Sequence, residues 1–146
     1  MIIRHGALVL VADGKKYLLL RNTGSAAHPR LTFESGGSQQ NPATAKQGSD
    51  KPGRAFGSGP ARSVMEQTDF HQIAEDRFAG QIAEWLGQLA RAGDYDELVV
   101  VAPPRCLAEL RDQFEPSVTR RIVAQLDKDL TNHPVDEVCR ILVREP

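Results

Sequence analysis

The chain has 146 residues, 40% of them hydrophobic and 25% charged, which predicts a single domain over residues 1–146 with one buried core. Its formal net charge of −1 excludes a protein whose whole surface coats nucleic acid or anionic membrane, although it is compatible with a local basic patch. No apolar run approaches the roughly 18 residues of a membrane span, and the short apolar start predicts a strand rather than a signal peptide. We therefore expect a cytoplasmic protein.

Three strands are predicted at the start of the chain. Residues 2–12 and 16–22 are rich in β-formers and flank Asp13-Gly14, a pair typical of a hairpin with a type I′ turn. In residues 29–35, apolar and polar side chains alternate as in a half-buried strand. These three strands are expected to form an antiparallel unit.

A segment rich in glycine and proline follows, and it predicts a flexible loop at about residues 36–66. Six of the twelve glycines fall within it, and Phe56 is its one large apolar side chain before Val64. Ordering such a segment costs about 1–2 kcal/mol per residue in backbone entropy, with no apolar burial in return. Loops of this length inside compact domains are usually functional or disordered.

The longest predicted helix begins after this loop, with Asp69 as its N-cap and Gln72 completing a capping box. Apolar residues then recur every three or four positions and form one stripe, with Trp85 as the expected core anchor. Gly93 is a natural residue to follow the end of the helix. The stripe consists of Phe70, Ile73, Ala74, Phe78, Ile82, Trp85, Leu86 and Leu89.

Two strands and two helices complete the predicted order. Residues 98–102 form a continuous apolar run, typical of a strand covered on both faces, and Pro103-Pro104 stops it. A short helix follows at 107–114, and the run 120–126 predicts a strand although its sequence is also compatible with a helix. A last helix opens with Pro134 at its first position. The order β-β-β-loop-α-β-α-β-α predicts an α/β fold with a mixed five-stranded sheet, the ribonuclease-H-like arrangement.

Cofactor signals are weak. Residues 48–55 nearly match a phosphate-binding loop, but Arg54 and Ala55 stand in place of its lysine and its hydroxyl residue. Cys106 and Cys139 lack further ligands at the spacing of a zinc site and are interpreted as buried thiols in a reducing compartment. We predict no cofactor.

Metal-dependent chemistry is also disfavoured. Ribonuclease-H-like nucleases hold their metal ions on clustered carboxylates near the strand ends. Here Asp13 is assigned to the hairpin turn, and Asp127 with Asp129 is interpreted as a solvated strand end. His71 and Glu75, one helical turn apart, lack a convincing third ligand. The sequence therefore predicts neither a metal site nor a catalytic residue.

The second half of the chain carries motifs that resemble the bacterial host-attachment protein family, described as required for attachment to host cells. The pattern is a phenylalanine-alanine pair in the long helix, D-x-L-x-[LV]-V-A-P-P at a strand end, L-x-x-L-R in a helix and a K-D-L-T tail. In this sequence the motifs are Phe78-Ala79, Asp96 to Pro104, Leu107 to Arg111 and Lys128 to Thr131. The resemblance covers essentially the whole chain, most specifically residues 70–142.

That family is in turn similar to the middle domain of archaeal and eukaryotic peptide-chain release factors. The resemblance implies the same strand and helix order, with a mobile glycine-rich loop whose Gly-Gly-Gln tip positions the water that cleaves peptidyl-tRNA. The nearest match here is Gly36-Gly37-Ser38-Gln39, which has a serine inserted and lies at the strand end of the loop. This departure argues against hydrolytic release and leaves contact with RNA or the ribosome open.

The loop is the expected contact surface for a partner. Between residues 35 and 62 its basic residues outnumber its acids by four to one, so it is able to neutralise phosphate, the alternative being a solvated loop without a partner. The candidate contact residues are Lys46, Lys51, Arg54, Arg62 and Gln39.

Two functional hypotheses follow. The leading one is a non-enzymatic binding protein of the host-attachment family, whose role in attachment is indirect because the sequence shows no export signal. The alternative is a ribosome- or tRNA-associated release-factor-like protein, including a peptidyl-tRNA hydrolase. The sequence identifies neither a protein partner nor an oligomeric state.

Overall fold

The computed structural model of the protein describes residues 1–39 and 64–146, with the backbone alone for residues 64–69. Within these ranges the chain forms five strands and four helices. They are β1 (Leu8–Ala12), β2 (Lys16–Asn22), β3 (Leu31–Ser38), α1 (Val64–Arg91), β4 (Leu98–Val101), α2 (Pro104–Gln113), α3 (Pro116–Thr119), β5 (Ile122–Leu126) and α4 (Val135–Arg144).

The five strands form one open, mixed sheet in the order β3-β2-β1-β4-β5. β2 pairs antiparallel with both β1 and β3, whereas β4 pairs parallel with both β1 and β5. The prediction of an α/β fold with a mixed five-stranded sheet is therefore confirmed. The long connection through α1 carries the chain from β3, at one edge of the sheet, to β4 on the far side of β1.

The centre of the sheet is buried on both faces. Every residue of β1 and of β4 is buried. Because side chains alternate between the two faces along a strand, Leu8 and Leu10 join one core cluster while Val9 and Val11 join the other. A strand of this kind needs apolar residues at every position, which explains the unbroken apolar runs in the sequence.

Helices cover both faces of the sheet. Phe78, Ile82 and Leu86 of α1 belong to the same core cluster as side chains of α2 and α3. On the opposite face, Val138 and Leu142 of α4 belong to the second cluster. The described part of the chain therefore has three layers, helix on sheet on helix.

The β1–β2 hairpin forms where the sequence predicts it, but its turn is not type I′. Gly14 does not have a positive φ. The Asp13 Oδ1 atom instead accepts hydrogen bonds from the backbone N–H groups of Lys15 at 2.7 Å and Lys16 at 2.8 Å. A turn that is stabilised by an aspartate side chain needs no left-handed residue, so the Asp-Gly pair predicts the position of the turn and not its type.

Helix α1 begins at Val64, five residues before Asp69, the predicted N-cap. The prediction of Asp69 as N-cap is therefore wrong, because this residue lies inside the helix. Capping preference is a weak local signal for the start of a helix, since an aspartate and a glutamine such as Asp69 and Gln72 are also common within the first two turns.

The other end of α1 is as predicted. Gly93 has a φ of +71°, and its N–H donates to the carbonyl of Ala90 at 3.0 Å. The N–H of Asp94 donates to the carbonyl of Leu89 at 2.9 Å. This pair of hydrogen bonds is the Schellman motif, which satisfies carbonyls in the last turn of a helix and favours glycine at the left-handed position.

Trp85 is not the core anchor that the apolar stripe predicts. Its side chain is 40% exposed, whereas the neighbouring Leu86 is fully buried. Phe70 and Ile73, which the stripe also includes, are more than half exposed. The face of α1 that meets the sheet is centred on Ile82 and Leu86, and Trp85 lies to one side of it. The sheet and the neighbouring helices cover only part of the apolar stripe of α1, and the rest of its side chains stay exposed.

The remaining elements lie close to their predicted positions. Residues 122–126 are a strand and not a helix, since they pair with β4. Pro134 is the N-cap of α4 rather than its first helical residue. The short helix α3 is not predicted from the sequence; it begins at Pro116, a residue whose fixed φ suits the first turn of a helix.

Trp85 is the one tryptophan of the chain, so intrinsic tryptophan fluorescence reports on it alone. We predict that the Stern–Volmer constant for acrylamide quenching of the native protein is a substantial fraction of the constant in urea, because the indole is partly exposed to solvent. Stern–Volmer plots of native and unfolded protein measure this. Native emission that is protected from acrylamide would contradict the placement of Trp85.

Candidate functional site

The end of the sheet at which β1, β3, β4 and β5 finish is the candidate functional site, and we call it the carboxyl end. The strand directions bring together the residues that follow these strands, namely Asp13, Gln39, Ala102 and Asp127. Connections diverge at β1, since β2 lies on one side of it and β4 on the other. In open α/β sheets, ligands bind beyond the carboxyl ends of the strands at such a point.

Asp13 joins two segments of the chain at the carboxyl end. In addition to the two N–H groups bound by Oδ1 within the turn, its Oδ2 accepts a hydrogen bond from the Thr131 hydroxyl at 2.8 Å. Thr131 is 6% exposed, and its hydroxyl also lies 3.1 Å from Asp129 Oδ1. The assignment of Asp13 to the turn is confirmed. Asp129 is exposed, as expected of a strand end, but it also contacts this cluster.

The Lys128 to Thr131 tail fixes the segment after β5 against the hairpin. Leu130 is buried in the same core cluster as α4, while the next residue, Thr131, hydrogen-bonds to Asp13. Lys16 Nζ adds a hydrogen bond to Asn132 Oδ1 at 2.5 Å. The sequence analysis identified this tail as a family motif but did not predict its structural role. The available signal was the apolar Leu130 next to the hydroxyl of Thr131.

Gln39 is fixed to the hairpin turn by two hydrogen bonds. Its backbone N–H donates to the carbonyl of Lys15 at 2.9 Å, and its side-chain Nε2 donates to the carbonyl of Gly14 at 2.7 Å. The three residues before it belong to β3, where Gly36 and Gly37 pair with β2. The first residues of the predicted loop are therefore part of the sheet, and the Gln39 amide is engaged with the turn.

The other candidate contact residues lie outside the described residues. They fall within 40–63, between Gln39 at the end of β3 and Val64 at the start of α1. The predicted loop at 36–66 thus overlaps β3 by three residues and α1 by three. The candidates concerned are Lys46, Lys51, Arg54 and Arg62.

Helix α1 extends past the hairpin turn at the carboxyl end. A Cβ atom at Gly14 would lie 2.6 Å from Glu75 Cδ, so the absence of a side chain at Gly14 allows Glu75 to approach the turn. The eleven residues of α1 before Glu75 correspond to about 16 Å of helix. None of residues 70–77 is buried. Residues 70–77 of α1 therefore lie outside the two core clusters.

Cys106 lies near this end, in the first turn of α2, and its thiol is unreactive. Burial raises the pKa of its thiol to about 12, with further contributions from the carboxylates of Asp13, Glu75 and Glu109. The thiol stays protonated at neutral pH, so Cys106 is not a nucleophile. Cys106 and Cys139 are both half-buried free cysteines.

Charge at the described part of the carboxyl end is mixed. Lys15 and Lys16 of the hairpin and the acids Asp13, Asp127 and Asp129 all follow strand ends here. The four-to-one excess of basic residues belongs to the sequence between Gln39 and Val64 rather than to this surface.

Among the described side chains, those of residues 1–39 and 70–146, no three His, Cys, Asp or Glu are close enough together to hold a metal ion. His71 and Glu75 lie one turn apart on α1 without a third partner in these ranges. Among the described helices, none is both long enough and apolar enough to cross a membrane.

One family model matches almost the whole chain. The model is described as bacterial archaeo-eukaryotic release factor family 12, and it matches residues 6–142. The resemblance to release factors predicted from the sequence is thereby confirmed, while the description does not mention host attachment. No curated protein matches the chain.

We predict that Asp13→Ala lowers the free energy of unfolding by about 1–3 kcal/mol, because two turn N–H groups lose their acceptor and the buried Thr131 hydroxyl keeps only its longer contact with Asp129. Asp127→Ala is the matched control. Asp127 is exposed at the same end of the sheet and makes no hydrogen bond or ion pair within the described part of the chain, so we expect a change within about 0.5 kcal/mol. Urea unfolding measures both, and equal losses would contradict the role of Asp13.

Proposed function

The chain belongs to bacterial archaeo-eukaryotic release factor family 12, and from this membership we propose that it is a non-enzymatic factor that associates with the ribosome or with tRNA. We further propose that its sheet is the ribonuclease-H-like arrangement of the release-factor middle domain. The strand order β3-β2-β1-β4-β5, with β2 antiparallel to its neighbours, supports this assignment.

The positions of the two described residues that flank residues 40–63 support the proposal. Gln39 is hydrogen-bonded to the hairpin turn at the end of β3, and Val64 is the first residue of α1. The sequence of residues 40–63 holds four basic residues and the single acid Asp50. A cationic segment that is anchored at both ends to a folded domain is suited to contact with RNA phosphates.

Two features support binding without hydrolysis. The serine inserted at Ser38 separates the glycine pair from Gln39, and both glycines lie in β3 rather than at a loop tip. The Gln39 amide donates to the carbonyl of Gly14, so in this conformation it is not directed at a substrate. A factor without the intact tripeptide is expected to occupy a binding site rather than to position a reacting water.

A ribosomal role places the protein in the cytoplasm. The host-attachment role implied by the sequence resemblance stays a prediction. An effect on attachment that is exerted through translation would reconcile the two.

We predict that the double variant Arg54→Ala/Arg62→Ala binds ribosomes more weakly than the wild type, with an unchanged melting temperature. Each lost phosphate contact should lower the log–log slope of binding against salt by about one unit. The melting temperature should not change, because a sequence as polar as residues 40–63 contributes little apolar surface to the core. Co-sedimentation with ribosomes over a series of salt concentrations measures the slope.

Arg30→Ala/Arg120→Ala is the control for that experiment. Both arginines are exposed, and both precede strands at the opposite end of the sheet, before β3 and β5 respectively. This pair removes the same charge and should leave binding nearly unchanged. Equal weakening by the two double variants, or no ribosome binding by the wild type, would contradict the proposal.

We predict that the wild type and Gln39→Ala both leave peptidyl-tRNA hydrolysis at background, because the tripeptide is interrupted and the Gln39 amide is bound to the turn. Release of the labelled peptidyl group from purified peptidyl-tRNA measures this. Clear turnover by the wild type that Gln39→Ala abolishes would make the protein an enzyme.

A further inference from the structure

A cleft of about 470 Å³ lies between the β2–β3 connection and α4. The connection begins where β2 ends, so it belongs to the opposite end of the sheet. A cleft of this volume is within the range of small-molecule sites. The residues that line it are Ala27, His28, Pro29, Leu31, Asp136, Cys139, Arg140, Val143 and Arg144.

One wall of the cleft is held in place by Asn22. This side chain is fully buried, and its Oδ1 accepts hydrogen bonds from the N–H groups of Gly24 and Arg30, each at 2.9 Å. Its Nδ2 donates to the carbonyl of Ile3 at 2.9 Å and lies 3.3 Å from the carbonyl of Ser25. The connection is thus fixed internally before any ligand arrives, which lowers the entropy lost on binding.

The two walls also touch each other. The Cys139 Sγ atom of α4 lies 3.7 Å from the carbonyl of Pro29, and Leu31 is buried in the core cluster that includes α4. Within the connection, the N–H of His28 donates to Ser25 Oγ at 3.0 Å. The shape of the cleft is therefore set by packing and hydrogen bonding within the folded chain.

The charge of the cleft favours an anion. Arg140 and Arg144 are exposed, lie one turn apart on α4, and have no ion-pair partner among the side chains of residues 1–39 and 70–146. Asp136 is the one acid in the lining, and His28 offers a further donor. Adjacent guanidinium groups present a planar array of N–H donors that matches the oxygens of a phosphate.

The rest of the lining is apolar and suits a ring. Half-buried Pro29 lies on one side, beside the buried Leu31, and Val143, which is 43% exposed, lies on the other. A ligand made of an anionic group alone would leave Pro29 and Val143 in contact with water. Burial of an apolar body against them adds to the free energy of binding in proportion to the area covered.

We infer that this cleft binds a small organic phosphate, a phosphate monoester joined to a flat apolar or aromatic body. Arg140 and Arg144 hold the phosphate, and Pro29 and Val143 cover the body. The inference does not depend on the proposed function, since it uses a different end of the sheet and none of residues 39–64.

Isothermal titration calorimetry of the full chain with adenosine 5′-monophosphate tests the inference, with adenosine and inorganic phosphate as partial ligands. The monophosphate should bind more tightly than either part. Arg140→Ala/Arg144→Ala should weaken its binding by at least about tenfold, and Arg140→Lys/Arg144→Lys should restore it only in part because lysine lacks the planar fork. Arg105→Ala/Arg120→Ala, a pair of exposed arginines outside the lining, should leave binding within about twofold.

A second variant tests the place of binding without a change of charge. Val143→Trp fills the cleft from a partly exposed position and should weaken monophosphate binding while the protein stays folded. Absence of monophosphate binding, or binding that the arginine and Val143 variants leave unchanged, would overturn the site. Equal affinity for inorganic phosphate and the monophosphate would overturn the assignment of an organic ligand.

Discussion

The parallel pairing of β1 with β4 is the constraint on which the rest of the structure depends. Both strands are buried at every position, so neither face of the sheet centre can be left to solvent. The sequence meets this requirement with α1, α2 and α3 on one face and α4 on the other. The same pairing makes β1 the strand at which connections diverge, and it thereby gathers the hairpin turn, the end of β3 and the tail after β5 at one end.

Two short polar side chains organise the opposite ends of the β1–β2 hairpin. Asp13 satisfies turn N–H groups and receives the Thr131 hydroxyl at the carboxyl end. Asn22, at the far end of β2, satisfies N–H and carbonyl groups of the connection to β3. In each case one residue supplies hydrogen bonds to backbone that lacks a strand partner, and a rigid surface results. The carboxyl end of the sheet and the arginine-lined cleft are each organised by one of these two residues.

Local patterns explain what could be predicted from the sequence. Strands β1, β2 and β4, the hairpin and the Gly93 helix end are encoded by apolar runs and turn residues that act over a few positions. The extension of β3 through Gly36 and Gly37 depends on pairing with β2, which overrides the low strand propensity of glycine. The exposure of Trp85 depends on how α1 is placed on the sheet, and the cleft depends on α4 meeting the β2–β3 connection. Such long-range placements leave no periodic signal.

The contact between Asp13 and Thr131 joins positions 118 residues apart, and it bears on when this domain is completed during synthesis. The N-terminal hairpin leaves the ribosome long before β4, the parallel neighbour of β1, so the apolar side chains of β1 wait for partners that are translated much later, α4 last of all. Folding dominated by such distant contacts is slow, and it exposes apolar strands to aggregation until the chain is nearly finished. A nascent chain that ended before Thr131 would carry the hairpin without the hydroxyl that joins its turn to the segment after β5.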